Sequence, residues 1–253
     1  FMLGFTWLPG WRGAVLLLAA AAALPLFVVR EARCAHPIFQ ARLVRGNTVF
    51  AFSNLAALVN YSATFAIGFL LSLYLQYNRG LSTQTAGFVL VSGPFVQVVF
   101  SPVVGRLADR VEVRYLSAGG MAAGALGLLG LSFLGAATPY WYVIAMVCLV
   151  SLGITFFATP NTLTVMGSIE TRWVGVASAT LSTMRQVGMS MSLGVATLVL
   201  ALVVGRRVIQ PVDHPHLLTS VRTSFLIFTV LCALGIVASL VGPRIGRGPR
   251  GTR

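Results

Sequence analysis

Long apolar runs cut by short polar turns constrain this chain more than any other feature. The clearest cut is Gly105-Arg106-Leu107-Ala108-Asp109-Arg110-Val111-Glu112-Val113-Arg114, a charged island between the apolar runs Ala86 to Val104 and Leu116 to Ala136. Each run is about as long as the ~20 residues a helix needs to cross a bilayer. The island therefore reads as a water-facing turn between two membrane spans. The same criteria of apolar length and breaker residues give seven candidate helices: Gly13 to Val29, Val49 to Leu75, Ala86 to Val104, Leu116 to Ala136, Tyr140 to Val165, Gly175 to Val204 and Leu218 to Val241. The predicted fold class is all-α and integral to the membrane.

Composition agrees with that setting. Charged residues make up 9% of the chain and apolar residues 57%, where soluble domains carry roughly one quarter charged. The net charge of +13 raises the question of nucleic acid. The basic residues, all arginine, sit singly or in small groups between apolar runs, with no basic face or aromatic-studded groove, so the expected partner is the lipid bilayer and not nucleic acid. Cys34, Cys148 and Cys232 show neither pairing nor metal spacing.

Arginine also orients the helices, because short cytoplasmic loops collect basic residues. With the island placed inside, alternation puts Arg30, Arg33, Arg42, Arg45, Arg106, Arg110, Arg114, Arg172, Arg244, Arg247, Arg250 and Arg253 in the cytoplasm, and Arg12, Arg79, Arg206, Arg207 and Arg222 outside. The N-terminus is then expected outside and the C-terminus in the cytoplasm, in a multi-pass protein of the cell (inner or plasma) membrane. Phe1 to Trp7 read as the tail of an earlier apolar segment, so the chain is expected to be a piece of a longer polypeptide. Between the first two spans, His36-Pro37 with Ile38, Phe39, Leu43 and Val44 fits either an amphipathic stretch along the membrane surface or an ordinary connector.

Proline and glycine punctuate the spans. Pro25, Pro94 and Pro160 fall inside them, where the lost backbone bond favours a bend. Such bends suit a chamber that opens and closes and also occur in static bundles. Gly119, Gly120, Gly124, Gly127 and Gly130 lie on the fourth span at spacings that let helix backbones approach closely, which predicts a helix packed among neighbours.

Acidic residues are few: Glu31, Asp109, Glu112, Glu170 and Asp213 all lie at loops or span ends. A proton relay through membrane-buried carboxylates therefore cannot be contained in this chain. His36, His214 and His216 are equally peripheral, and no nucleophile–base pair or phosphate-binding glycine loop is present. No metal site, no cofactor and no enzymatic activity are expected.

Polar stripes do run along the spans. Asn54, Tyr61, Thr64, Phe65, Gly68 and Ser72 fall close to one face of the second; Gly93, Gln97, Ser101 and Gly105 repeat every four residues on the third; Thr155, Thr159 and Thr162 follow at spacings of four and three on the fifth, with Asn161 beside them. These faces fit a water-filled cavity or interhelical hydrogen bonds, which contribute only ~0.6 kcal/mol each on average. On the sixth span, Arg185 lies about ten residues in, or roughly 15 Å along the axis. Inserting arginine there costs on the order of 2.5 to 3.5 kcal/mol. Ser178, Ser182, Met189 and Ser192 share its face and Gln186 adjoins it, so the guanidinium is expected to point inward, as a functional group or as a structural anchor.

The island Gly105 to Arg110 resembles the cytoplasmic loop signature of the major facilitator superfamily, Gly-x-Leu-Ala-Asp-Arg-x-Gly-Arg-Arg, with Glu112 and Val113 in place of the second Gly and the next Arg, and Arg114 in the last basic place. Pro160-Asn161 to Met166-Gly167-Ser168, Gly175-Val176-Ala177-Ser178 and Met184-Arg185-Gln186-Val187-Gly188 resemble the late signature of the fourteen-span drug:proton antiporters. His36-Pro37 with Gln40 to Arg45, and Tyr74-Leu75-Gln76, are similar too.

The resemblance implies a division of the chain. Residues 1–47 would hold the end of a preceding span, one linker transmembrane helix and a cytoplasmic connector; 48–242 a six-helix C-terminal transporter bundle; 243–253 a basic cytoplasmic tail. The partner would be an N-terminal bundle of the same polypeptide, carrying the proton-bearing acids. The expected function is proton-coupled efflux of amphipathic drugs or other small molecules by alternating access, with the proton gradient as energy source. Alternatives are a solute importer or facilitator of the same superfamily, and a non-transporting membrane subunit. The expected substrate cavity comprises Asn54, Tyr61, Phe65, Gln97, Asn161, Arg185 and Gln186, and the expected gating loop Gly105, Asp109, Arg110 and Arg114.

Overall fold

The computed structural model of the protein describes residues 47–108, 110–205 and 214–241, with the isolated positions 13, 15 and 19. The rest of the first candidate span, with Pro25, the His36-Pro37 connector, Asp109 and the 243–253 tail, lies outside these.

The described chain is helical, with no strand among its described residues. In order, α1 is Thr48–Thr64, α2 Ile67–Leu73 running into a π-helical turn Tyr74–Asn78, α3 Thr83–Ala108, α4 Val113–Ser132, α5 Tyr140–Gly167, α6 Val174–Val203 after a 3-10 turn Thr171–Trp173, and α7 His214–Val241. Six helical stretches are long and apolar enough to cross a membrane, the first being Thr48–Asn78 as a unit. They coincide with the second to seventh candidate spans.

Local chemistry sets several ends. Asn47 accepts the Phe50 N–H on its side-chain oxygen at 3.0 Å, capping α1. Gly80, at φ +65°, turns the chain after the first span, a left-handed conformation that glycine adopts without steric cost. The helix continues through Pro94, Pro102 and Pro160. Within the first span it is interrupted instead at Phe65–Ala66, where the Ala66 N–H is donated to Ser192 Oγ of α6 at 2.9 Å.

In lipid the hydrophobic effect does not drive helices together, so close packing must. The glycines of α4 supply it. A Cβ on Gly120 would meet the Phe157 amide at 2.7 Å and the Gly153 carbonyl at 2.8 Å, and one on Gly127 would meet Val150. Gly119 faces open space. The α4 and α5 backbones thus lie almost in contact, and this is the most extensive helix pair in the bundle. The core gathers Leu70, Leu71 and Tyr74 of the first span, Met121 and Leu128 of α4, Val150 and Phe157 of α5, and Phe225, Phe228 and Cys232 of α7. Outside this core, Phe133, Trp141, Leu226 and Val230 are exposed, giving an exterior suited to hydrocarbon. Helix α3 is the least covered of the six.

At the end of the bundle opposite the α3–α4 turn, three side chains hold three successive carbonyls just past the α4 terminus. Arg222 donates to Leu134 O, Tyr74 Oη to Gly135 O at 2.7 Å, and Arg79 to Ala136 O while lying over the Tyr140 ring at 4.7 Å. Carbonyls left free by a helix end need such donors. Tyr74→Phe removes the middle bond together with the hydroxyl's contact to Thr138, so it is expected to lower stability by about 0.6 kcal/mol or somewhat more, about 0.6 kcal/mol being the average for one such bond in membrane proteins. A denaturant titration in detergent micelles reads the change.

Candidate functional site

The polar stripes come together. An open cavity of about 650 Å3 lies among the first span, α3 and α5, and its lining includes Tyr61, Thr64, Phe65 and Gly68 from the first, Gly93, Gln97 and Ser101 from the second, and Ser151, Thr155 and Thr159 from the third. Leu71, Leu90, Val147, Val150 and Ile154 supply apolar wall. The period of four places each stripe on one side of its helix, and glycine brings the helices close. A Cβ on Gly93 would meet Ser151 Oγ at 2.7 Å and Val147 Cγ1 at 3.2 Å, so the α3–α5 crossing beside the cavity is close and a side chain there would displace Ser151.

The hydroxyls are anchored within their own helices. Thr64 donates to Asn60 O at 2.9 Å and Thr155 to Ser151 O at 2.8 Å. Each donor is satisfied locally, which leaves hydroxyl oxygen lone pairs to face water or a ligand. Ser151 extends the Thr155–Thr159 stripe by one turn toward the start of α5. Sequence analysis missed it, although its spacing of four from Thr155 was available as a signal.

Among the residues expected to line the cavity, Tyr61, Phe65 and Gln97 do so. Asn54 is buried and turns its amide back on its own helix, donating to Phe50 O at 2.9 Å. Asn161 is buried, with its Nδ2 unpartnered, and Gln186 is exposed; neither is among the lining residues.

Arg185 is not a lining residue but adjoins one. Its guanidinium lies over the Tyr61 ring at 5.5 Å and donates from Nη2 to Thr162 Oγ1 at 2.6 Å. Thr162 in turn donates to Ala158 O at 2.7 Å, so its oxygen is oriented to accept. The close approach of α6 to α1 positions this group. A Cβ on Gly188 would meet Leu58 O at 2.7 Å and Tyr61 Cβ at 3.0 Å, three residues after Arg185. A helical side chain leans toward the N-terminus of its helix, which carries the guanidinium down to Thr162. The face shared with Arg185 is not uniformly inward: Ser192 is fully buried, Met189 half-buried, and Ser178 and Ser182 exposed.

At the α3–α4 turn, Arg110 and Glu112 are exposed, and Gly105 and Arg114 half-buried. The Nε of Arg114 has no partner. Among the described residues the ion pair present is Arg172 with Glu170 at 2.7 Å, largely exposed and away from this turn. Arg110 and Arg114 therefore meet no described carboxylate. No group of metal-ligating side chains occurs among the described residues.

Comparison with known proteins places this architecture. The family described as Major Facilitator Superfamily matches residues 2–193 and again 55–252. The chain is 31% identical over 183 residues to the methylenomycin A resistance protein of Bacillus subtilis, covering 71% of this chain and 39% of that protein. It is 33% identical over 192 residues to the cephamycin export protein of Amycolatopsis lactamdurans, covering 74% and 39%. With the riboflavin transporter of Clostridioides difficile the identity is 26% over 171 residues, covering 68% and 37%. The chain thus spans under two fifths of the length of these curated relatives. Matching family and six membrane-length helices agree: this chain belongs to the major facilitator superfamily and is part of a multi-pass membrane protein.

Proposed function

We propose that this chain supplies one half of a secondary active transporter that exports amphipathic small molecules across the cell membrane by alternating access, driven by the proton gradient. The observation that carries the proposal is the cavity among the first span, α3 and α5, with apolar walls and a few polar groups. Its volume, about 650 Å3, falls in the range of roughly 300–1,000 Å3 typical of drug-sized sites. The names of the relatives, which speak of methylenomycin A resistance, cephamycin export and riboflavin transport, support a small-molecule substrate.

The proton carrier lies elsewhere in this proposal. The described carboxylates, Glu112 and Glu170, sit at helix ends, so the coupling acid comes from an N-terminal bundle facing this one. The sparsely covered α3 supports such a facing half, because Phe88, Val91, Phe95 and Val98 leave an apolar face open. Gly105, Asp109, Arg110 and Arg114 form the gate, with the α3–α4 turn cytoplasmic and its arginines pairing across to the other half.

The test is transport by the full-length protein in proteoliposomes with an imposed pH gradient, using ethidium as the amphipathic probe. Gradient-driven movement that a protonophore abolishes is the expected result. Equilibration indifferent to the gradient would turn the assignment to a facilitator, and no movement at all to a non-transporting subunit.

A further inference from the structure

We propose that Arg185, oriented by Thr162 and lying against Tyr61 beside the cavity, is a receptor for a carboxylate. The proposal deepens the transporter reading and rests on it for the identity of the cavity.

Of the five N–H donors of a guanidinium, the one hydrogen bond to a described residue engages Nη2, on Thr162 Oγ1 at 2.6 Å. Nε is buried without a partner. On α5, one residue before Thr162, the Asn161 side chain is 5% exposed and its Nδ2 is likewise unpartnered. Arg185 Nε and, on the neighbouring helix, Asn161 Nδ2 are thus buried donors without an acceptor. Buried donors are ordinarily satisfied, and a cation inside a membrane span ordinarily has a counter-charge. The carboxylates among the described residues, Glu112 and Glu170, sit at helix ends and supply none at that depth.

The shape of the missing partner follows from the donors. A guanidinium presents parallel N–H bonds that match the two oxygens of a carboxylate. Tyr61 both lines the cavity and lies against the guanidinium at 5.5 Å. The cation is therefore one side chain away from the space where a small molecule binds. The carboxylate has two possible sources: a transported molecule, or an acidic side chain from outside the described residues.

Binding to the full-length protein in lipid nanodiscs separates these sources. The probes are fluorescein, which carries a carboxylate, and the cation ethidium, read by fluorescence polarisation with wild type, R185Q and R185K. Each variant is first checked for a monodisperse size-exclusion profile. With a substrate carboxylate, R185Q weakens fluorescein binding by at least about tenfold and leaves ethidium within about twofold. R185K falls between, because an ammonium keeps the charge but not the paired geometry. With a side-chain carboxylate, fluorescein is unmoved, and ethidium binds R185Q about tenfold more tightly, since the freed acid attracts a cation. If neither probe responds to R185Q, or wild type binds fluorescein no better than R185Q while ethidium is unchanged, the receptor is overturned. Binding that follows the expected pattern in a protein that fails the ethidium transport test would leave the receptor standing and count against proton-driven efflux alone.

Discussion

Gly153→Leu is expected to cost about 3 kcal/mol or more and to remove most folded protein from the membrane. Even a methyl group at Gly153 would sit 2.5 Å from the Gly124 amide nitrogen and 2.6 Å from the Gly120 carbonyl. Those atoms are backbone, so no rotamer change relieves the contact. Overpacking of a well-packed site ordinarily costs about 1–3 kcal/mol, and here two helices must separate along the most extensive interface in the bundle. Gly153→Ala sharpens the test, because helix propensity alone favours alanine over glycine by about 1 kcal/mol. The close approach of α4 and α5 predicts that packing wins and that Gly153→Ala also destabilises. A higher unfolding midpoint for Gly153→Ala, read by denaturant titration in detergent, would contradict the backbone contact.

The second large effect concerns the cavity. Gly68 lines it, and a Cβ there meets nothing within 4 Å. Gly68→Trp therefore inserts an indole without disturbing the packing of the first span. Transport of ethidium by the full-length protein is expected to fall at least about tenfold, since occupied volume is no longer open to a ligand, while membrane abundance stays near wild type. Gly119→Trp is the matched control: its surroundings are equally open, and it lies on α4 away from the cavity. Unchanged transport in Gly68→Trp, or an equal loss in Gly119→Trp, would separate this cavity from the transport path.

Much of the architecture was legible in residue order. Six candidate spans reappear as helices with ends shifted by a few residues. The third, read as Ala86 to Val104, extends over Thr83–Ala108, because polar residues at a helix end continue the backbone ladder without adding hydropathy. The fourth, read to Ala136, ends at Ser132. There Leu134, Gly135 and Ala136 give their carbonyls to Arg222, Tyr74 and Arg79, donors 88, 61 and 57 residues away, which no local pattern reveals.

The site divides in the same way. Sequence by itself determined that the chain crosses a bilayer, that polar stripes follow helical periods, and that Arg185 lacks an acid in its own spans, because hydropathy, period and composition are properties of the chain alone. Tertiary structure decided that Tyr61, Phe65 and Gln97 enclose a cavity, that Asn54 turns back on its own helix, that Gln186 lies exposed, and that Arg185 reaches Thr162 across two helices. Those outcomes depend on how near one helix comes to another. That distance is set where Gly120 meets Gly153 and Gly188 meets Leu58, between backbones far apart in sequence.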